Sequence, residues 1–297
     1  MEFSQLRIFQ AVAEEGSVTR AAERLHRVPS NLSTRLRQLE EQLGVELFLR
    51  ERQRLQLSPA GKVLLDYANR LSTLRDEAIA AVQGGEPAGD FVLGTMYSTA
   101  AIHLPKLLAR YHQAYPAVNL QVQAAPSNEL LEGLLNHRLD AALLDGPPRL
   151  AGLDGIPLCV EELVMLTSPE HPVVHSARDV AGKAVFTFRQ GCSYRMRLEA
   201  WYAHAHTPMG RVLEIESYQS MLACVIAGAG VAMMARSMLD SLPGRDQVTA
   251  HRLQAPFDQA VTWLMWRQGM CGANLQAWID VQQTETVDRP SAPALSA

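Results

Sequence analysis

The sequence predicts a multidomain α+β protein, with a small helical N-terminal domain, a long linker helix and a C-terminal two-lobed α/β domain. Its 297 residues are about two domain lengths. Apolar residues recur at helical spacing over about the first sixty residues, whereas strand and helix patterns alternate after residue 89. Charge is also uneven: residues 1–62 carry ten basic and eight acidic side chains, a net +2, and residues 63–297 carry seventeen and twenty-three, a net −6.

Composition excludes several classes of protein. A hydrophobic share of 47% and a charged share of 20% disfavour disorder and collagen-like architecture. The longest nearly apolar stretch, residues 221–235, is too short to cross a bilayer and contains Gly228 and Gly230. The N-terminus lacks the basic and apolar runs of an export signal. The four cysteines are widely spaced, which fits a reducing cytoplasm better than a disulfide framework.

Three short helices are predicted at the N-terminus. The first spans about residues 3–15 and ends at Gly16, with Ser17 as a candidate N-cap of the second. Pro29 begins the third, since a proline at the first helical position sacrifices no hydrogen bond. The apolar residues of the third helix lie on one face: Leu32, Leu36, Leu39 and Leu43. Its polar, arginine-bearing face is therefore expected to point outward.

A two-stranded wing and a long helix follow. Charged and polar residues alternate over residues 50–57, which predicts the wing, and Ser58 and Pro59 then begin the helix. Apolar residues three and four apart along this helix favour pairing with a second chain: Leu64, Tyr67, Leu71, Leu74 and Ala78. Glycine and proline in residues 84–89 predict a linker and a domain boundary.

From residue 90 onward, strand, turn and helix alternate in two sets, which predicts two αβ lobes with mostly parallel sheets. The predicted domains are a winged helix-turn-helix at 1–58, a linker and dimerisation helix with hinge at 59–89, the two-lobed domain at 90–285 and a mobile tail at 286–297. Within the two-lobed domain, residues 90–160 with 267–285 form one predicted lobe and residues 161–266 the other.

Three runs of residues carry a resemblance to a known family: Gly16-Ser17-Val18-Thr19-Arg20-Ala21-Ala22-Glu23-Arg24-Leu25, Leu39-Glu40-Glu41-Gln42-Leu43-Gly44-Val45-Glu46-Leu47-Phe48 and Leu57-Ser58-Pro59-Ala60-Gly61. They resemble the LysR-type transcriptional regulators, and the resemblance covers roughly residues 1–285. It implies a regulator that is not an enzyme, with a DNA-binding head and a periplasmic-binding-protein-like effector domain. The segment at 188–195 resembles one in some members near putrescine-utilisation genes.

The resemblance implies that the third helix enters the major groove of DNA. Most members open this helix with Ser-Gln-Pro or Ser-Gln-Ser, whereas this chain has Val28-Pro29-Ser30-Asn31, and Pro29 cannot donate to a base. Recognition is then expected from Ser30, Asn31, Ser33, Thr34 and Arg35, because asparagine binds adenine bidentately and hydroxyls bind several base edges. Phosphate contacts are expected from Ser17, Thr19, Arg20, Arg37, Arg50, Arg52 and Arg54. Each charge also has a simpler interpretation as a solvated surface residue, notably Arg52 beside Glu51.

Polar residues follow three predicted strands, where sheets of this type bind ligands. In the family this edge lines an effector cleft, so the expected effector-binding residues are Ser98, Thr99, Gly191, Cys192, Ser193, Tyr194, Arg195, Ser217 and Tyr218. Simpler interpretations stay open: the hydroxyls can be ordinary helix caps, and Arg195 can pair with Glu216. A helix N-terminus lowers a thiol pKa, so Cys192 is either a redox sensor or simply a small cleft residue.

The resemblance implies four partners: duplex DNA with a roughly palindromic operator, a small-molecule effector, further copies of the chain as a dimer or tetramer, and RNA polymerase. It also implies a cytoplasmic location and no membrane partner. No cofactor or metal is expected, since the histidines lack metal-ligand spacing. Two alternatives stay open. One is a two-lobed solute-binding receptor without a transcriptional role, and the other is an enzyme with Ser98 or Cys192 as nucleophile, although neither lies in a Gly-x-Ser-x-Gly elbow.

Overall fold

The computed structural model describes residues 1–51, 54–83 and 86–284. The chain divides into two compact units, Met1–Gly85 with Asn136–Arg138, and Glu86–Leu135 with Leu139–Ala297. Arg52 and the predicted tail at 286–297 lie outside the described residues.

The first unit is mainly helical. Its elements are α1 (Phe3–Glu15), α2 (Val18–Arg24), α3 (Pro29–Leu43), the antiparallel strands β1 (Phe48–Glu51) and β2 (Arg54–Leu57), and α4 (Pro59–Gln83). The predicted local signals are confirmed: Gly16 ends α1 in the left-handed conformation, the Ser17 side chain caps α2 by accepting from the Arg20 N–H, and Pro29 lies at the start of α3.

The core of the first unit joins all of its helices. Phe9 of α1, Leu32 and Leu39 of α3 and Ala68 of α4 are fully buried. Gly61 allows α4 to pass close to the wing, because a Cβ at this position would lie 2.1 Å from the Leu47 carbonyl oxygen. The head and the start of α4 are therefore one packed body.

The residues of the predicted dimerisation seam on α4 differ in their exposure within the single chain. Leu64 and Leu71 pack against the core of the first unit and are partly buried there. Tyr67 and Leu74 are each 54% exposed, and Ala78 is exposed as well. The free apolar face of α4 is therefore narrower than the sequence pattern predicts, because α1 occupies one side of the helix.

The second unit alternates strands and helices. Its elements are β3 (Gly89–Thr95), α5 (Tyr97–Ile102), α6 (Leu104–Ala114), β4 (Val118–Ala124), α7 (Ser127–Leu135), β5 (Ala141–Asp145), β6 (Leu153–Thr167), β7 (Val185–Thr187), α8 (Ser193–His204), β8 (Val212–Glu214), α9 (Tyr218–Ile226), β9 (Val231–Ala235), α10 (Arg236–Ser241), β10 (Thr249–Arg252), β11 (Gln259–Arg267) and α11 (Ala273–Gln283).

Nine of these strands form one sheet in the order β4-β3-β5-β11-β6-β9-β7-β8, with β10 also pairing with β6. The prediction of a mostly parallel sheet is wrong. Strands at both ends pair in parallel, but β11 is antiparallel to β5 and β6, and β6 is antiparallel to β9 and β10. The lobes are connected directly by two long strands, β6 and β11. These two strands run in opposite directions, and an antiparallel pair needs no crossover helix.

The strand β6 belongs to both lobes. Its first part pairs with β11, and residues 163–167 pair with β9 and β10 of the second lobe. Strand β11 returns the chain, and its residues 262–266 already pair with β5. Each lobe has its own core, with Leu93, Tyr111 and Trp278 in the first and Leu166, Tyr202 and Met234 in the second.

Candidate functional site

The outward face of α3 is a shallow hollow lined by Ser30, Asn31, Thr34, Arg35 and Gln38. These residues follow the spacing i, i+1, i+4, i+5 and i+8, one side of a helix, and all are exposed. Four of them are predicted from the sequence. Gln38 is not, although the same spacing extended by one turn includes it.

Some polar side chains of this face contact other residues, whereas the amides of Asn31 and Gln38 do not. The Thr34 hydroxyl donates to the Ser30 carbonyl oxygen over 3.0 Å, and an Arg35 guanidinium nitrogen lies 3.8 Å from a Glu2 carboxylate oxygen. Within residues 1–51, 54–83 and 86–284, the side-chain amides of Asn31 and Gln38 have no hydrogen-bond partner. An asparagine or glutamine amide presents a donor and an acceptor together, the pair that adenine offers in the major groove.

Two other predicted residues of α3 lie beside the hollow. Ser33 and Arg37 are exposed but do not line it, because they fall on the neighbouring side of the helix. Thr19 is exposed at the start of α2. Arg20 is exposed too, but it hydrogen-bonds to the Glu15 carbonyl oxygen, which ties it to the end of α1.

The wing residues are placed by their strand register. Arg50 of β1 pairs with Leu55 of β2, and Arg54 of β2 pairs with Glu51 of β1. Both arginine positions therefore lie on the two-stranded wing, as predicted, while Arg52 lies outside the described residues.

A cavity lies between the two lobes of the second unit. The empty space between its walls, including the part open to solvent, measures about 370 Å³. Met96, Tyr97, Ser98, Ala125, Pro126 and Ser127 of the first lobe line it, together with Phe188, Arg189, Cys192, Ser193, Tyr194, Glu216 and Tyr218 of the second. A ligand in this cavity touches both lobes.

Aromatic rings form a large part of the cavity wall. Tyr97 of the first lobe stacks on Phe188 of the second, with ring centroids 6.2 Å apart and an angle of 11° between the ring planes. The rings of Tyr218 and Phe188 meet edge to face at a centroid distance of 4.8 Å. These rings offer flat apolar surface to a ligand.

Hydroxyl groups supply polarity in the same cavity. Ser98, Tyr194 and Tyr218 each bring a hydroxyl group to the cavity wall. Burial raises the pKa of both tyrosine hydroxyls, so they stay neutral and keep their protons for hydrogen bonding. The Ser127 hydroxyl oxygen is buried and has no hydrogen-bond partner among the described residues. A buried polar atom of this kind is favourable only with a ligand or water in contact.

Five of the nine predicted effector-binding residues line the cavity: Ser98, Cys192, Ser193, Tyr194 and Tyr218. Thr99 is buried and does not line it. Gly191 does not line it either, and its carbonyl oxygen accepts from the Asn128 N–H of the first lobe over 3.3 Å. Ser217 does not line it, since its hydroxyl caps α9 by accepting from the Ser220 N–H over 3.2 Å. For Ser217 the simpler interpretation as a helix cap is therefore correct.

The expectation that Arg195 contacts the ligand is not supported by its position. Its guanidinium pairs with Glu199 at 2.9 Å and Glu214 at 2.5 Å, and it donates to the Phe188 carbonyl oxygen over 3.1 Å. The alternative pair with Glu216 is also wrong, because Glu216 pairs with Arg189 at 2.9 Å. The cation that lines the cavity is thus Arg189, six residues earlier in the sequence.

Cys192 does not have the activated thiol of a redox sensor. It is the N-cap of α8 and lines the cavity, but burial raises the pKa of its thiol. Desolvation outweighs the helix N-terminus at this position, which keeps the sulfur protonated and weakly nucleophilic.

Several cavity residues were not predicted. Ala125 and Pro126 follow β4 and Ser127 begins α7, which is the same strand-to-helix signal that identified Ser98. Met96, Phe188 and Arg189 belong to strand ends, where apolar character alone resembles core.

Among the described helices, none combines the length and the apolar character that a membrane span requires.

Two family descriptions match the chain. "Bacterial regulatory helix-turn-helix protein, lysR family" matches residues 3–62, and "LysR substrate binding domain" matches residues 84–286. The first covers the head that carries the α3 hollow, and the second covers the unit with the cavity. Because the helix-turn-helix match accompanies the lobes, the comparisons favour a regulator over a solute-binding receptor.

Similar proteins agree with this division. The uncharacterized HTH-type transcriptional regulator YusT of Bacillus subtilis (strain 168) is 33% identical over 282 residues, 94% of this chain and 95% of that protein. The regulator GltR of the same organism is 31% identical over 269 residues, 90% of this chain and 91% of that protein.

Solved structures show the same fold. A full-length OxyR variant from Pseudomonas aeruginosa has a TM-score of 0.77 and 23% identity, covering 98% of this chain and 99% of that one. Full-length CbnR, complexed with its target DNA, has a TM-score of 0.66 and 23% identity over 96% and 99% of the two chains. With both domains matched in order, the chain belongs to the LysR family and is a DNA-binding transcriptional regulator with an effector-binding domain, not an enzyme.

Proposed function

We propose that the hollow on α3 reads base edges in the major groove of an operator. The observation that carries this proposal is the pair of free amides, Asn31 and Gln38, at the centre of an exposed helix face. Ser30 and Thr34 add hydroxyls beside them, and Arg35 is weakly held by Glu2 at 3.8 Å. The expected half-site contains adenine at the positions that face the two amides.

Phosphate contacts position this helix without reading sequence. Candidates are Thr19 at the start of α2, Ser33 and Arg37 beside the hollow, and Arg50, Arg52 and Arg54 of the wing. Ser17 and Arg20 are less available for phosphate, because the Ser17 side chain caps α2 and the Arg20 guanidinium donates to the Glu15 carbonyl oxygen. Ser17 then contributes mainly by holding the N-terminus of α2, whose own N–H groups favour an anion.

The cavity is proposed to bind a small organic anion with a planar or apolar body. The first residues of α7, α8 and α9 line it, and helix N-termini carry partial positive charge and unpaired N–H groups. Ser127 offers an unpartnered hydroxyl, and Arg189 lines the cavity as a cation that pairs with Glu129 at 3.0 Å and with Glu216 at 2.9 Å. The stacked rings of Tyr97 and Phe188 supply the surface for the apolar part of the ligand.

Such a ligand would control DNA binding by biasing the arrangement of the two lobes. It contacts residues of both lobes, so its affinity differs between arrangements that bring the walls together and arrangements that separate them. A ligand shifts an equilibrium only through such a difference in affinity, with coupling typically of about 1–3 kcal/mol.

The proposed partners follow from the family. We expect at least a dimer through the exposed face of α4, and a dimer on a two-fold axis requires a roughly palindromic operator. RNA polymerase is the proposed further partner, as the enzyme whose activity a transcriptional regulator changes. The protein is expected to act in the cytoplasm, where the DNA lies.

The test is selection of genomic fragments bound by the full-length protein at physiological salt, followed by footprinting of the best fragment. A protected, roughly palindromic site supports the proposal, and sequence-indifferent binding that disappears with salt contradicts it. A thermal-shift screen of small aromatic and aliphatic carboxylates, with uncharged amides of the same acids as controls, then tests the ligand class. Stabilisation by the amides alone would contradict an anion site.

A further inference from the structure

Three metal-ligating side chains meet outside the cavity. The imidazole of His103, the thiol of Cys159 and the carboxylate of Glu161 place one ligand atom each within 4.8 Å of one another. Cys159 and Glu161 are two residues apart on β6, so their side chains share one face of the strand. His103 comes from the junction of α5 and α6.

The cluster is connected internally. The His103 Nε2 nitrogen hydrogen-bonds to Glu161. The neighbouring Cys159 and Glu161 side chains raise the pKa of the imidazole to about 10, with Cys159 as the larger cause. The imidazole and the carboxylate of the cluster are therefore in contact with each other without an ion.

The Glu161 carboxylate is buried and held from a second side. Its side chain is 7% exposed, and its Oε2 oxygen accepts a hydrogen bond of 2.6 Å from the Ser237 hydroxyl of α10. A metal-ligating carboxylate is commonly oriented in this way by an outer hydrogen bond. Arg236 and Arg252 pair with the adjacent Glu162, so these two cations neutralise Glu162 and not Glu161.

We propose that His103, Cys159 and Glu161 bind a divalent transition-metal ion of the zinc class. Nitrogen, sulfur and oxygen ligands together suit Zn²⁺, which takes a tetrahedral arrangement with bonds of about 2.0–2.3 Å. Calcium and magnesium prefer all-oxygen sets, so the thiol and imidazole argue against them. Three protein ligands leave the fourth position for water, and His103, 28% exposed, lies on the solvent side.

The position of this site connects it to the rest of the second unit. His103 follows α5 of the first lobe, Cys159 and Glu161 lie on the strand shared by both lobes, and Ser237 belongs to the second lobe. The Glu161 charge also reaches the hydroxyls of Tyr194 and Tyr218, which line the cavity. An ion here would hold the lobe junction and change the electrostatic potential behind the cavity wall.

The experiment uses the full-length protein, treated with a chelator and then titrated with Co²⁺ or Zn²⁺. We expect one ion per chain by equilibrium dialysis, and a thiolate-to-cobalt charge-transfer absorption that requires a bound cysteine sulfur. Cys159→Ser should abolish this absorption, and His103→Asn and Glu161→Gln should each weaken Co²⁺ binding at least tenfold. Ser237→Ala keeps all three ligands and should weaken binding about 10–100-fold.

The controls are Cys224→Ser and Cys271→Ser, free cysteines outside the cluster. Both should keep the absorption and the stoichiometry. The proposal is overturned by a wild-type protein that binds no Co²⁺, by an absorption that survives Cys159→Ser, or by one that disappears in a control. If Cys159→Ser does not fold, the test uses His103→Asn, because His103 is the more exposed ligand. An unchanged Co²⁺ affinity in His103→Asn would contradict the proposed site. Operator binding by the chelated protein is measured separately, because the metal site and the DNA proposal can fail independently.

Discussion

Arg197 binds Asp145 through two hydrogen bonds of 2.7 Å, from Nε to Oδ2 and from Nη2 to Oδ1. Arg197 lies on α8 of the second lobe, and Asp145 is the last residue of β5 in the first. The third guanidinium nitrogen, Nη1, donates to the Gln259 carbonyl oxygen over 3.1 Å. This bidentate pair joins the lobes beside the cavity.

Arg197→Ala should destabilise the protein by about 3 kcal/mol, because it leaves the Asp145 carboxylate, whose side chain is only 8% exposed, without its cation. The measurement is urea unfolding of the full-length chain. Arg252→Ala is the matched control, since Arg252 is 81% exposed and pairs with Glu162 at 2.7 Å; its loss should cost under about 1 kcal/mol. Equal effects of the two variants would show that the inter-lobe pair adds little. In the Arg197→Ala, Asp145→Ala double variant the loss should be smaller than the sum of the two single losses.

Gly191→Ala should disturb the contact between the lobes. Gly191 has φ +91°, and a Cβ there would lie 2.2 Å from the Asn128 Oδ1 oxygen of the facing lobe. Gly228→Ala is the control, because Gly228 has φ +71° with open space around it. This variant should lose only the free energy of placing a Cβ in the left-handed backbone conformation, about 1–2 kcal/mol. Denaturant unfolding should show a larger loss for Gly191→Ala. Adding Asn128→Ala should recover the excess, and a failure to recover it would mean that Asn128 is not the obstacle.

Base-reading and phosphate-contacting variants should behave differently on DNA. Asn31→Ala and Gln38→Ala should each relax preference at one base position, by about 1–3 kcal/mol, because each removes a bidentate amide. Arg37→Ala should weaken binding to all sequences and reduce the salt slope by about 1. Selection from randomised operators, repeated at several salt concentrations, separates the two effects. Glu41→Ala, also exposed on α3, should change neither, and an unchanged site preference in Asn31→Ala would show that the hollow does not read bases.

Leu74→Glu should weaken dimerisation at least tenfold without unfolding the head. Leu74 is 54% exposed in the single chain, so its replacement removes no core contact there, whereas a buried glutamate at a helix pair is costly. Analytical ultracentrifugation measures the dissociation constant. Lys62→Glu, an exposed charge change on the same helix, serves as the control. A Leu74→Glu protein that stays dimeric would place the interface elsewhere.

Stability should fall as the pH falls below about 6.5 because of His251. Its Nδ1 accepts from the Val174 N–H over 3.2 Å and its Nε2 lies 2.9 Å from the Thr167 hydroxyl, so these contacts fit the neutral ring. Burial, followed by the charges of His171 and His175, lowers the pKa of His251. The unfolded chain therefore binds the proton at higher pH than the folded one, and stability is lost as the pH falls through the folded pKa.

The measurement for His251 is the free energy of unfolding from about pH 7.5 to about pH 5, a range that spans the ordinary histidine pKa. His251→Gln should flatten this dependence, whatever its effect at neutral pH, and His112→Gln, at an exposed position of α6, should leave it as in the wild type. An unchanged dependence in His251→Gln would assign the acid sensitivity to other groups.

Local signals predicted much of the fold. Gly16, Ser17 and Pro29 fix the ends of α1, α2 and α3 through backbone geometry, and such effects are written in neighbouring residues. The strand directions in the centre of the sheet were mispredicted, because pairing partners such as β6 and β11 are about a hundred residues apart. Periodicity reports which face is buried, not which strand lies beside it.

In the candidate sites too, features set by neighbouring residues were predicted and features set by distant residues were not. Ser98 and Tyr218 were predicted because each follows a strand, which is a local pattern. Arg195 was misplaced, since only the fold shows that Glu199 and Glu214 occupy its guanidinium. The cluster of His103 and Glu161 has no sequence signature, because its members are 58 residues apart and meet only when β6 passes the end of α5.

The 15-residue strand β6 also limits how the lobes move. A hydrogen-bonded strand resists stretching along its axis but yields to twisting, and β11 runs beside β6 over most of its length. We therefore expect a ligand that brings the cavity walls together to rotate one lobe about these two strands and not to slide it along them. We expect the twist to concentrate at the register shift between Thr262 and Trp263, where the ladder is already interrupted.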